Sequence, residues 1–98
     1  MIAHLTWTSK TFPKGTSKGA LLHAHREIDE VIQDIDNKAP HDQKTAEYAD
    51  VMFCLVDSAH REGISIEDIV NAGWEKLKKN RQRMWKDNGD GSYSHIKE

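Results

Sequence analysis

Three stretches of this 98-residue chain place apolar side chains at steps of three and four, the period of a helix that buries one face. The first begins near Ser17 and carries Leu21, Ala24, Ile28, Val31, Ile32 and Ile35, with Asn37 and Pro40 closing it. The second follows Pro40 and carries Ala46, Ala49, Phe53, Val56 and Ala59, widened by Met52 and Leu55; it ends at Gly63, a suitable residue just past a helix C-cap. The third opens on Ser65 and Asp68, spaced as a capping box, and continues through Ile66, Ile69, Val70, Gly73, Trp74 and Leu77 towards Trp85, with Trp74 expected in the core. Residues 1–16 sustain no period and read as an extended arm anchored by Trp7 and Phe12, while 87–98 read as a tail that starts with a turn over Asp87–Ser92. The expectation is a single all-α domain over residues 1–98. Because the second helix is apolar around much of its circumference, the bundle is expected to reach a four-helix core by dimerisation, with the third helices as braces.

Composition narrows the function. A chain this short has a thin core unless another subunit completes it. Its apolar share of 37% and mean hydropathy of -0.77 are low, but the 31% charged residues are interspersed with periodic apolar ones, which separates it from disordered sequences. The formal net charge of -2 hides an asymmetry: acids crowd Glu27 to Asp57, and Lys76, Lys78, Lys79, Arg81, Arg83 and Lys86 crowd the last helical stretch. The lone Cys54, set in an apolar run, excludes an intrachain disulfide and a cysteine zinc site and reads as a small buried hydrophobe. No basic and apolar leader and no run of about 18 apolar residues is present, so a cytoplasmic protein with no membrane role is expected. Net negative charge and the acidic cluster weigh against a nucleic-acid-binding module built on the basic helix. A helical dimer that only mediates interactions is the other alternative, and it has no use for clustered carboxylates.

Those carboxylates carry the chemistry. Glu27 and Glu30 on the first helix, and Glu47 and Asp50 on the second, are each three apart and so share a helix face. Glu27, Glu30 and Asp50 each precede a stripe residue, which puts them at the margin of a buried face, where a carboxylate can point into an interhelical cleft. Four carboxylates converging there repel one another unless cations hold them, and hard oxygen donors suit magnesium, with manganese able to substitute. His23, four before Glu27, and Asp57, seven after Asp50, extend the two polar rows along the same cleft. His23 and His25 do not face the same way on a helix, which argues against a zinc pair.

The order Glu27-x-x-Glu30, sixteen residues, then Glu47-x-x-Asp50, with Lys76, Asn80 and Arg83 further on, resembles the plan of MazG-like nucleotide pyrophosphohydrolases. From Thr11 onward, the pattern through Leu22-His23, Arg26-Glu27, Asp50-Val51, Asp57, Glu67-Asp68-Ile69-Val70 and Lys76-x-x-x-Asn80-x-x-Arg83-x-Trp85 is similar to the short phage MazZ-type dATP/dGTP diphosphohydrolases. The resemblance implies an all-α MazG-like bundle, a homodimer or homotetramer, and hydrolysis of a purine deoxynucleoside triphosphate to monophosphate and pyrophosphate, in host cytoplasm if phage-encoded. Glu27, Glu30, Glu47 and Asp50 would hold the metal, and Glu27 or Glu30 would take the proton of the attacking water. Lys76, Asn80 and Arg83, at i, i+4 and i+7, would clamp phosphate oxygens. Base recognition falls to groups that stack or hydrogen-bond, with Trp7, Phe12, His23, Asp57 and Trp85 the candidates.

Overall fold

Helix-forming period and capping residues coincide in the stretch that begins at Ser17, whose entry is fixed by Thr16. In a computed structural model that describes residues 2–97, the elements are α1 (Ile2–Thr11), α2 (Ser17–Asp36), α3 (His41–Arg61), α4 (Ile66–Gln82), β1 (Trp85–Asp87) and β2 (Tyr93–His95). The fold is that of an all-α protein with a small hairpin appended. Two compact units divide it, Met1–Ile66 and Glu67–Glu98.

In the first unit α2 packs against α3 along most of their length. Thr16 is extended at φ -123° and ψ 161°, and its Oγ1 accepts the Gly19 N–H at 2.9 Å, which satisfies one of the donors a helix N-terminus leaves open. Between the helices Ala24, Val31 and Cys54 are the buried apolar side chains, and Ser58 Oγ donates to Ser17 O at 2.8 Å across the pair. So small a core fits the sequence expectation of a thin interior. Leu22, Ile32, Ile35 and Met52 each remain more than half exposed.

Both helices end in the same hydrogen-bonded turn. At α3 the Gly63 N–H donates to His60 O and the Ile64 N–H to Ala59 O, each at 2.9 Å, with Gly63 at φ +74° as its position predicts. At α2 the equivalent bonds run from Lys38 to Ile35 O and from Ala39 to Asp34 O, but the left-handed residue is Lys38, at φ +54°. A side chain there costs about 1 kcal/mol, partly offset by glycine's greater entropy loss on folding. Lys38→Gly is therefore expected to stabilise the protein by about 0.5 kcal/mol, read as a higher urea midpoint with an unchanged slope.

Residues 1–16 are not an extended arm. Ile2–Thr11 is helical and packs on α3. The face turned to α3 is polar in sequence: Thr8 is only 3% exposed, with its Oγ1 donating to His4 O at 2.8 Å, and the His4 ring stacks on Phe53 with centroids 4.3 Å apart. A stripe built from histidine and threonine carries no hydrophobic period, although its spacing is helical.

In the second unit α4 stops at Gln82 rather than running to Trp85. Trp85 pairs with His95 in a two-stranded antiparallel ladder, and its indole Nε1 donates back to Asn80 O at 3.0 Å. The turn expected at Asp87–Ser92 is present, with Gly89 and Gly91 at positive φ and Asn88 N bonded to Ser92 O at 2.9 Å. Trp74, expected in the core, is 63% exposed, because α4 buries none of its residues in the single chain.

Candidate active site

The helical spacing that puts Glu27 and Glu30 on one face of α2 also turns them toward Glu47 on α3. One carboxylate oxygen from each lies within 4.8 Å of the others. Glu47 Oε2 is buried and has no hydrogen-bond donor. Burial pushes the Glu47 carboxyl from 4.5 up to about 7, reinforced by a carboxyl–carboxyl hydrogen bond with Glu30 and by the negative charges of Glu30, Asp34 and Glu27. Three convergent carboxylates, one of which also keeps a buried oxygen without a partner, fit a magnesium- or manganese-sized cation well. Asp50 lies outside this tight group and lines the adjoining cleft instead.

The charge state of Glu47 makes metal-free stability depend on pH. The folded chain holds this proton more tightly than the unfolded chain does, so the stabilisation is full below about 4.5 and is lost as pH rises to about 7. The melting temperature of metal-free protein is expected to fall relative to that of Glu47→Gln across this window and to run parallel to it outside. A difference that does not change with pH would overturn the assignment.

A cleft of about 650 Å3 opens next to the carboxylates. His4, Trp7, Phe12 and Phe53 give it an aromatic wall, while Glu27, Asp50 and Asp57 give it an acidic side. Trp7 and Phe12 meet edge to face with centroids 5.4 Å apart. His23 also lines the cleft, but its Nε2 lies 3.1 Å from Glu27 Oε1, so it is placed to orient that carboxylate as well as to meet a ligand. Cys54 lines the cleft too; burial raises its thiol, helped by Glu27, Asp50 and Asp57, which keeps it protonated and unreactive.

Asp57 is buried and held by Arg61, whose Nε donates to both carboxylate oxygens at 3.2 Å. The same guanidinium reaches across to the segment joining α1 and α2, where Nη1 donates to Gly15 O at 2.7 Å and Nη2 to Phe12 O at 3.2 Å. Gly15 permits this approach, since a Cβ there would sit 2.9 Å from Nη2. Arg61 was not singled out from sequence; its signal is the i, i+4 spacing from Asp57 at the end of a helix. His4 and Phe53 were missed as cleft residues because neither belongs to a charged motif.

Lys76 and Asn80 lie on α4, in the second unit, but Arg83 does not share their helical face as expected. It follows the end of α4, where its Nη1 donates to Asn80 Oδ1 at 3.3 Å. Trp85 is in β1 rather than on a continuing helix.

Helices α2 and α3 thus define a carboxylate cluster suited to a divalent cation, beside an aromatic cleft. The sequence pattern of the dATP/dGTP pyrophosphohydrolases matches residues 1–98, and the chain belongs to that family. It is 33% identical over 90 residues to the dATP/dGTP diphosphohydrolase of Salmonella phage PMBT28, which covers 92% of this chain and 28% of that protein. Over 53 residues it is 47% identical to the Eaa protein of Salmonella phage P22, covering 53% of this chain and 17% of that one. The chain therefore spans less than a third of the length of either relative. Among solved structures it is similar to the cyanophage S-2L MazG-like pyrophosphohydrolase bound to dGDP and three catalytic Mn2+ ions per active site. That match has a TM-score of 0.77 and 27% identity, and covers 98% of this chain and 92% of that chain.

Proposed function

We propose that this chain is a divalent-cation-dependent hydrolase that converts a purine deoxynucleoside triphosphate, dGTP or dATP, to its monophosphate and pyrophosphate. The observation that carries the reading is the convergence of Glu27, Glu30 and Glu47, with Glu27 also lining a cleft that has an aromatic wall. Family membership and the dGDP and Mn2+ ions of the S-2L relative support it.

Glu27, Glu30, Glu47 and Asp50 hold the cations, Mg2+ or Mn2+. When bound there, such ions would supply charge neutralisation for the triphosphate and a lower barrier to water attack at the α-phosphorus. Glu27 or Glu30 takes the proton from the attacking water as its oxygen bonds to the α-phosphorus and the bond to the pyrophosphate oxygen breaks. Trp7 and Phe12 offer ring faces for the base, and Asp57, fixed by Arg61, offers acceptor oxygens to its N–H groups. His23 adds a substrate contact, and Lys76, Asn80, Arg83 and Trp85 are the further phosphate and substrate contacts that the family resemblance implies.

A second copy of the chain completes the core, in a dimer or tetramer. The exposed Leu22, Ile32, Ile35 and Met52 on α2 and α3 support this, since only three apolar side chains are buried among the described residues. No helix among the described residues is long and apolar enough to cross a membrane; a role in the host cytoplasm follows, as part of the proposal, from the phage origin of the relatives.

The test is incubation with each common dNTP and NTP plus Mg2+ or Mn2+, with and without chelator, with products read by chromatography and phosphorus NMR. Monophosphate with intact pyrophosphate, lost on chelation, is expected for purine deoxynucleotides. Release of orthophosphate, or no turnover, would overturn the reading.

A further inference from the structure

Charge is sorted along the second unit. Between Lys76 and Lys97 the only carboxylates are Asp87 and Asp90, and both are engaged in the hairpin turn. Asp87 Oδ1 accepts the Gly89 N–H at 2.8 Å, and Asp90 Oδ1 accepts the Ser92 N–H at 2.9 Å. At the other end of the ladder, where Trp85 pairs with His95, a cleft of about 600 Å3 lies between the end of α4 and the second strand. Lys79 and Arg83 line one side of it, His95 and Lys97 the other. The Ile96 N–H donates to Met84 O at 2.7 Å and joins the two sides. Arg83 Nη1 is held by Asn80 Oδ1 at 3.3 Å, and His95 is half-buried edge to face against Trp85. Among the described residues none of Lys79, Arg83 and Lys97 forms an ion pair.

Cations crowded into one concavity repel one another unless an anion joins them. The negative end of a helix dipole accounts for basic residues at the end of α4. It does not account for His95 and Lys97, which the hairpin folds back to the same cleft. We propose that this cleft is a binding site for a phosphoanhydride chain, with pyrophosphate its smallest ligand. The N–H fork of Arg83 and the point charges of Lys79 and Lys97 suit adjacent phosphate groups, and the His95 ring adds a donor. The volume is that of a small-molecule site rather than of a lone ion. The chain has two sources, the outer phosphates of a bound triphosphate or the free pyrophosphate that hydrolysis releases. The source rests on the proposed reaction; binding itself needs no turnover.

Full-length protein is titrated with pyrophosphate in the presence of chelator, where no divalent cation can hold the anion at the acidic cluster, and binding is followed by calorimetry. Wild type is expected to bind, and the Lys79→Ala, Lys97→Ala double variant, altered only at exposed positions, to bind roughly tenfold or more weakly. Lys78→Ala should match wild type, because Lys78 is already paired with Glu75 at 3.2 Å and lies outside the cleft. No binding by wild type, equal affinity in the double variant, or an equal loss in Lys78→Ala would overturn the site. A deoxynucleoside monophosphate that binds as tightly as pyrophosphate, or a single-stranded oligonucleotide that displaces it at lower phosphate concentration, would overturn the phosphoanhydride assignment. Kinetics in excess Mg2+ then separate the sources. A higher KM for dGTP in the double variant, with kcat little changed, places the outer phosphates of the substrate in the cleft. An unchanged KM with weaker inhibition by added pyrophosphate places the product there. Neither change would overturn both sources, whereas binding without any turnover would count against the proposed reaction and leave the site standing.

Discussion

Glu47→Ala is expected to lower kcat/KM for a purine deoxynucleoside triphosphate by about three powers of ten while leaving the helices folded. The argument is electrostatic. Cation stabilisation of a phosphoryl-transfer transition state is worth several kcal/mol, and each 1.36 kcal/mol is about tenfold in rate. Glu47 is the carboxylate of α3 that meets both Glu27 and Glu30, so its loss opens the centre from one side. The fold does not depend on it: its Oε2 makes no hydrogen bond, and its charge is repelled by its neighbours. Steady-state kinetics beside circular dichroism and melting of the same sample check both halves. A variant that keeps more than about a tenth of wild-type kcat/KM would show that the carboxylate centre is not the seat of catalysis.

Arg61→Ala is expected to destabilise the protein by about 3 kcal/mol, as removal of one partner of a largely buried ion pair does. For a chain of this size that lowers the melting temperature by roughly 12 °C or more. Three interactions vanish together: the fork on Asp57 and the bonds to Gly15 O and Phe12 O. Asp57 is then left as a buried uncompensated charge, which is the larger part of the cost. Arg61→Lys restores a point charge but not the fork, so it should recover only part of the loss. The local signature is faster amide exchange in α1 than in α3, because the two carbonyl contacts tie the α1–α2 connection to α3. Uniform loss of protection across the first unit would argue that Arg61 does no more than stabilise the fold as a whole.

The course of α2 and α3 was legible in the sequence because apolar period, caps and breakers agree there. Ser17, Asn37, Pro40 and Gly63 bound the two helices to within two residues. The metal-ligand candidates were legible for a related reason: spacing on a helix fixes direction, and two helices each presented a pair. Helix α1 was hidden because the residues that seat it, His4 and Thr8, are polar and are satisfied by contacts the sequence does not display. The hairpin strands, three residues each, are too short for alternation to register. Trp74 misled because an apolar stripe shows that a face seeks a partner, not that the same chain supplies it.

Apart from Phe53 on α3, the aromatic wall and the carboxylate cluster are built from different segments. His4, Trp7 and Phe12 come from α1 and the residue after it, whereas Glu27, Glu30 and Glu47 come from α2 and α3. Selection can therefore act on them separately. On the proposed function, substitutions in α1 would retune which base is accepted while the hydrolytic apparatus stays intact, whereas the carboxylate rows would tolerate almost no drift. A saturation library scored for nucleotide preference would show diversity concentrated in the first twelve residues. The α1–α2 connection would be the exception, held to lengths and shapes that still present two carbonyls to Arg61.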